Sequence, residues 1–193
     1  MLQIKPKKGY LLVAEPSILG DVSFNRSVIL LADHNTEGSV GFILNKPMDF
    51  FLNDLLPEIE TPLSVYNGGP VEQDKLYYIH KKPELIPNSV KISEGVFWGG
   101  DVNSVIKLIN DGRIGNKDIR FFLGYSGWDA NQLINELGSQ NWIVSENTYK
   151  HSIIEKNEAT FWKEKMLELG VELEEPTDSD DESCRGMSLP HSN

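Results

Sequence analysis

Between residues 9 and 92 the apolar residues of this chain come in runs of four to six, each broken by Gly, Pro, Asn or Asp. No other feature constrains the fold as tightly. A surface helix needs an apolar stripe repeating every 3.6 residues over about ten residues or more, and runs this short cannot supply one. Rich in β-branched and aromatic residues, they read as strands at 10–14, 28–32, 41–44, 63–66 and 76–79. The first three are almost uninterrupted, which predicts strands covered on both faces. His34-Asn35-Thr36-Glu37-Gly38 reads as a hairpin connection, making the second and third runs antiparallel neighbours.

Among these runs a short helix is predicted at 49–56, stopped by Pro57. The second half changes punctuation, with a buried strand at 119–123 between helices. Asp101 caps a helix with Val102, Val105, Ile106 and Ile109 on its apolar side and Gly112 as a left-handed stop. Asp129 is expected to cap the next, with Gln132 in the capping-box position, Leu133, Ile134 and Leu137 facing inward and Gly138 at the end. A last helix is predicted at 158–169, where Ala159, Trp162, Met166 and Leu169 share one side and Gly170 closes it. Mostly antiparallel strands followed by segregated helices predict a single α+β domain over residues 1–170.

Charge separates that domain from the C-terminal segment. Of 29 acidic and 18 basic residues, giving a net charge of -11, the last 23 positions hold seven acids and one base. Residues 171–193, rich in Ser, Asp, Glu and Pro, have too little apolar surface to offset their ordering entropy and read as a disordered tail; the functional alternative is an acidic arm for a basic partner. An acidic chain also disfavours direct nucleic-acid binding, since phosphate contacts need Lys and Arg, and Lys5, Lys7 and Lys8 form only a short terminal cluster. The single Cys184 allows neither an intrachain disulfide nor a multi-cysteine zinc site. With no run long enough for a secretory signal or a membrane span, a cytoplasmic protein is expected.

Several motifs are candidate sites. Gly124-Tyr125-Ser126-Gly127-Trp128-Asp129 lies where a buried strand is expected to hand over to a capped helix. Such a junction offers free N–H groups to an anion, with Tyr125 and Trp128 as flat walls; the plainer reading is a tight turn with core aromatics. Ser126 invites comparison with a nucleophile elbow, but Trp128 stands where G-x-S-x-G needs glycine. Gly68-Gly69-Pro70 is either a phosphate cradle or a rigid turn, and it lacks the Gly-Lys-Ser/Thr ending of a P-loop. Arg26 and Asn45-Lys46-Pro47, at strand ends, are candidate anion contacts. His34, His80 and His151 show no paired spacing, so neither a metal nor a cofactor is expected.

Taken together these blocks resemble the AlgH/YqgE family of small bacterial proteins. The pattern runs through Gly9-Tyr10-Leu11-Leu12-Val13-Ala14, Pro16, Phe24-x-Arg26-Ser27-Val28-Ile29-Leu30-Leu31 and Gly41-Phe42-Ile43-Leu44-Asn45-Lys46-Pro47. It continues in Gly68-Gly69-Pro70-Val71, Gly124-Tyr125-Ser126-Gly127-Trp128, Gln132-Leu133 and Glu136-Leu137, in order over residues 9–169. The resemblance implies an α+β fold built on a barrel-like sheet with surrounding helices, a bacterial setting and an association with transcriptional regulation. It brings no agreed ligand or catalytic residue, and the family commonly has Ala where this chain has Ser126.

The expectation is therefore a non-catalytic binding or regulatory protein. It would hold a protein partner or small ligand at a surface shared by Arg26, Asn45, Lys46, Pro47, Gly68, Gly69, Pro70, Gly124, Tyr125, Gly127, Trp128 and Gln132. The alternative is a small enzyme using Tyr125, Ser126 or His151 for proton transfer.

Overall fold

A computed structural model describes residues 4–16 and 22–173. Cys184 and the predicted tail from residue 174 onward lie outside the described residues, whereas Val171 and Leu173 pack on the core. Among the described residues ten strands, β1(Leu11–Ala14), β2(Val28–Asn35), β3(Gly38–Ile43), β4(Pro47–Phe51), β5(Ser64–Asn67), β6(Val71–His80), β7(Val90–Ser93), β8(Val96–Trp98), β9(Ile119–Asp129) and β10(Trp142–Ser145), form one sheet. Its main path runs β10-β1-β2-β3-β9-β6-β8-β7, with β5 on β9 and β4 on β5. Every pair is antiparallel except β5 with β9, so the α+β class holds.

The expected barrel is not formed. β10 and β7 end the path without pairing to each other, and the sheet stays open. Side chains from a 3-10 turn (Lys150–Glu155) and α4(Phe161–Glu168) fill the face that a closing strand pair would otherwise shield. Ile153, Ile154, Phe161, Trp162 and Met166 meet Leu11, Val13, Leu30, Phe42 and Phe122 there. The alternate residues Leu12, Ala14, Ile29 and Leu31 point to the opposite face, under α3(Gln132–Gly138), as the uninterrupted runs predicted. The other end of that face packs α1(Leu52–Leu55) and α2(Val102–Asn110) on Val65, Tyr78 and Phe121.

Local signals worked where the chain bonds to itself nearby. Asp101 accepts from the Ser104 N–H at 2.8 Å to start α2, and Gly112 follows its end at φ 69°. The hairpin forms with Asn35 opposite Gly38. Other boundaries moved. Residues 47–51 form β4 against β5, leaving only Leu52–Leu55 helical, and α4 starts at Phe161. Asp129 does not cap α3, because β9 runs through Gly124-Tyr125-Ser126-Gly127-Trp128 to Asp129 and the helix begins after Asn131, held at φ 65°. The expected turn at 124–129 is thus a strand, bent at Gly124 with φ 70° and paired from Ser126 to Asp129 with β3.

Candidate functional site

The sequence-selected blocks meet, but along a closed seam. Asn45 ties the entry to β2: its Oδ1 accepts from the Val28 N–H at 2.9 Å and its Nδ2 donates to the Arg26 carbonyl at 2.8 Å. Lys46 Nζ donates to the Asn25 carbonyl at 2.6 Å, and burial, helped by nearby Arg26, pushes its ammonium below its ordinary pKa. Arg26 is exposed, with its guanidinium 5.5 Å from the Trp162 ring. The Lys46 carbonyl accepts from Asn67, one residue before the Gly68-Gly69 step, and Pro47 pairs with Tyr66.

At that step two backbones cross. A Cβ on Gly68 would lie 2.2 Å from the Gly124 oxygen, and one on Gly69, at φ 150°, would lie 2.3 Å from the Tyr125 carbonyl carbon. The N–H groups that a phosphate cradle would need are already used, which leaves the rigid-step reading: Gly68 donates to Leu123 O at 2.9 Å and Gly69 to Asn67 Oδ1 at 3.0 Å. Ser126 Oγ is fully buried and donates to the Gly68 carbonyl at 3.1 Å. Ser126 therefore presents no hydroxyl to solvent. His151 lies by Lys81 and Gly95, at the Ile119 end of β9, seven residues from Ser126 along the strand, or roughly 23 Å.

A solvent-open cleft lies on one side of the seam. About 420 Å³ in volume, it is bounded by the β2–β3 hairpin and the C-terminal half of β9. Of the expected residues it gathers Tyr125, Gly127, Trp128 and Gln132; Arg26, Asn45, Lys46, Pro47, Gly68, Gly69, Pro70 and Gly124 do not line it. Asp33, Glu37 and Asp129 do, and among the described residues no basic side chain joins them. The half-buried Tyr125 ring meets Tyr77 edge-on at 5.6 Å. Tyr77 donates to Glu72, and burial, with that carboxylate second, pushes its phenol up to about 12. Glu72 itself sits at φ 49° in the irregular stretch of β6 between Val71 and Leu76.

Sequence reasoning missed the acidic lining and also the group that fixes the cleft wall. Glu136 Oε2 accepts from the indole N–H groups of both Trp128 and Trp142 at 2.9 Å, and its Oε1 accepts from Gln132 Nε2 at 3.1 Å. Gln132 Oε1 in turn takes the Asp129 N–H at 2.9 Å. Gln132 and Trp128 thus hold α3 to β9, and the Trp128 ring is mostly buried in the core while the residue lines the cleft. The one advance signal was the spacing of Gln132 and Glu136, which places them on one helix face. Among the described residues no group of three or more His, Cys, Asp or Glu is placed to hold a metal, and no helix is long and apolar enough to cross a membrane.

The chain matches the profile of the AlgH-like family over residues 11–174. A UPF0301 protein of Bacteroides fragilis is 41% identical over 175 residues, covering 89% of this chain and 87% of that one. A second, from Chlorobium limicola, is 43% identical over 147 residues, covering 75% and 77%. Among solved structures, the AlgH protein from Pseudomonas aeruginosa superposes with a TM-score of 0.70 at 26% identity, covering 89% of this chain and 94% of that one. A protein from Corynebacterium diphtheriae, at 21% identity and a TM-score of 0.69 over 87% and 90% of the two chains, shares the fold. The profile match takes in every strand and helix from β1 to α4, and the chain belongs to the AlgH-like family.

Proposed function

We propose that this chain is a non-catalytic binding protein with a regulatory role, and that the cleft beside Tyr125 holds a positively charged group of a partner protein or small ligand. One observation carries the reading: Asp33, Glu37 and Asp129 line the cleft without a basic residue among the described residues there. Carboxylates of one sign gathered in a recess focus the field there and favour a Lys, Arg or amine group. The half-buried Tyr125 ring adds an apolar and cation-attracting surface. The same field repels phosphates, so a regulatory effect on transcription would run through a protein and not through DNA contact.

Photo-crosslinking from a photoreactive phenylalanine at position 125 tests this, in cells expressing the full chain with and without Glu37→Lys and Asp129→Lys. The expected result is a discrete adduct, lost on charge reversal. An adduct pattern indifferent to the reversals, or no adduct, overturns the reading.

A further inference from the structure

Charged side chains are rarely found fully buried without a counter-ion, because desolvation penalises the isolated charge. Arg120 has a carboxylate nearby, Glu158, but none in direct ion-pair contact among the described residues. It is 5% exposed, near the start of β9, with its guanidinium 4.4 Å from the Tyr66 ring centre. One terminal nitrogen donates to the Leu44 carbonyl at 2.7 Å and the other to the Lys156 carbonyl at 2.9 Å. Those bonds use two of the five N–H groups of a side chain that stays protonated at neutral pH.

Arg120 lines a cleft of about 360 Å³ between the start of β9 and the segment after the 3-10 turn. Two amides and a lysine beside it offer donors. Asn116 Oδ1 accepts from the Ser64 N–H at 3.2 Å and Asn157 Oδ1 from the Ala159 N–H at 2.9 Å. Bonds from backbone N–H groups fix which end of each amide is oxygen, leaving both NH₂ groups without a partner among the described residues. Lys117 lines the cleft, exposed and outside any ion pair among the described residues. The other charges largely cancel: Glu155 is held by Lys81 at 2.6 Å and Lys156 by Glu164 at 2.6 Å. Glu158 remains, with Oε2 3.5 Å from the Tyr66 hydroxyl.

From this convergence we propose that the cleft binds a small ligand through an oxyanion, a phosphate or a carboxylate, received by Arg120, Lys117 and the amide groups of Asn116 and Asn157. The planar guanidinium fork suits both anions. Glu158 competes with the ligand and holds its affinity down. The site stands apart from the acidic cleft, seven residues or roughly 23 Å further along β9, and prefers the opposite charge.

The test titrates the full chain with inorganic phosphate and, separately, with acetate, at ionic strength matched with chloride. The side-chain amide signals of Asn116 and Asn157 are followed by NMR, and the two anions distinguish the phosphate and carboxylate arms. Saturable shifts with millimolar affinity are expected for at least one anion. Lys117→Glu should weaken that affinity several-fold and Glu158→Gln should strengthen it several-fold, both with an unchanged melting temperature. Those opposite signs separate a binding site from an arginine that only ties two carbonyls together. No saturable shift with either anion, saturation by chloride alone, or a failure of either variant to move the affinity in its stated direction overturns the proposal.

Discussion

Removing the Glu136 carboxylate is expected to loosen the whole seam between α3 and the sheet. The rings of Trp128 and Trp142 are 5% and 4% exposed, with centres 6.2 Å apart and nearly perpendicular, and both indole N–H groups end on one Glu136 oxygen. In Glu136→Ala those donors lose their acceptor. A buried orphan donor costs about 1–3 kcal/mol, and water entering where the half-buried carboxylate stood keeps each cost toward the lower half. The total is then about 2–4 kcal/mol. For a domain of this length each kcal/mol moves the melting temperature by about 2–4 °C, so a fall of roughly 5–15 °C is expected. Glu136→Gln keeps one acceptor but faces its NH₂ toward either the indoles or Gln132 Nε2, and should cost about half as much. Circular dichroism and tryptophan emission through a thermal ramp measure both. Repeating Glu136→Ala in a Trp128→Phe/Trp142→Phe background isolates the coupling, where its cost should drop below about 1 kcal/mol. A melting shift under about 2 °C, or an equal cost in both backgrounds, refutes the reasoning.

Three further outcomes are expected. Gly68→Ala and Gly69→Ala should each cost about 3 kcal/mol or more, because the added methyl meets backbone at 2.2 and 2.3 Å, while Gly115→Ala, with nothing within 4 Å, is the near-neutral control in the same melting assay. Ser126→Ala should lower stability by about 1 kcal/mol through loss of the bond to the Gly68 carbonyl, and leave crosslinking from position 125 intact. His80 is fully buried, donates from Nε2 to the Gly99 carbonyl and accepts the Lys82 N–H at Nδ1. Burial holds its pKa below the ordinary 6.5, so the folded state favours the neutral ring. Its contribution is complete above pH 6.5 and is lost as pH falls below that value toward the lowered folded pKa. Urea midpoints measured from pH 7.5 downward should therefore decline in the parent and flatten in His80→Gln over that window; parallel curves refute the assignment.

How much of the molecule is legible in its sequence depends on the range of the interactions. The β2–β3 hairpin, the Asp101 cap and the Gly112 stop each depend on bonds between residues a few positions apart, and composition alone announces them. The run 124–129 reads as a turn because two glycines normally signal one. Here Ser126 to Asp129 are held extended by Gly41 to Gly38, and nothing within the run records that partner. β10 escapes notice for the same reason: Trp142–Ser145 gains its identity from Leu11–Ala14 at the other end of the chain. The candidate blocks do meet along the seam, yet their cohesion is backbone to backbone. The open cleft takes its charge from Asp33, Glu37 and Asp129, which the sequence presents as hairpin residues and a helix cap.

Strand β9 has neighbours on three earlier strands: β3 along its second half, and β5 and β6 along its first. A ribosome making this protein therefore releases those three well before the segment that unites them. Until Asp129 has emerged, β3, β5 and β6 lack their common partner, and assembly must cross long loops to reach it. Nascent chains cut short before residue 119 should be protease-sensitive and dependent on holding chaperones, with protection arriving abruptly once β9 clears the exit tunnel.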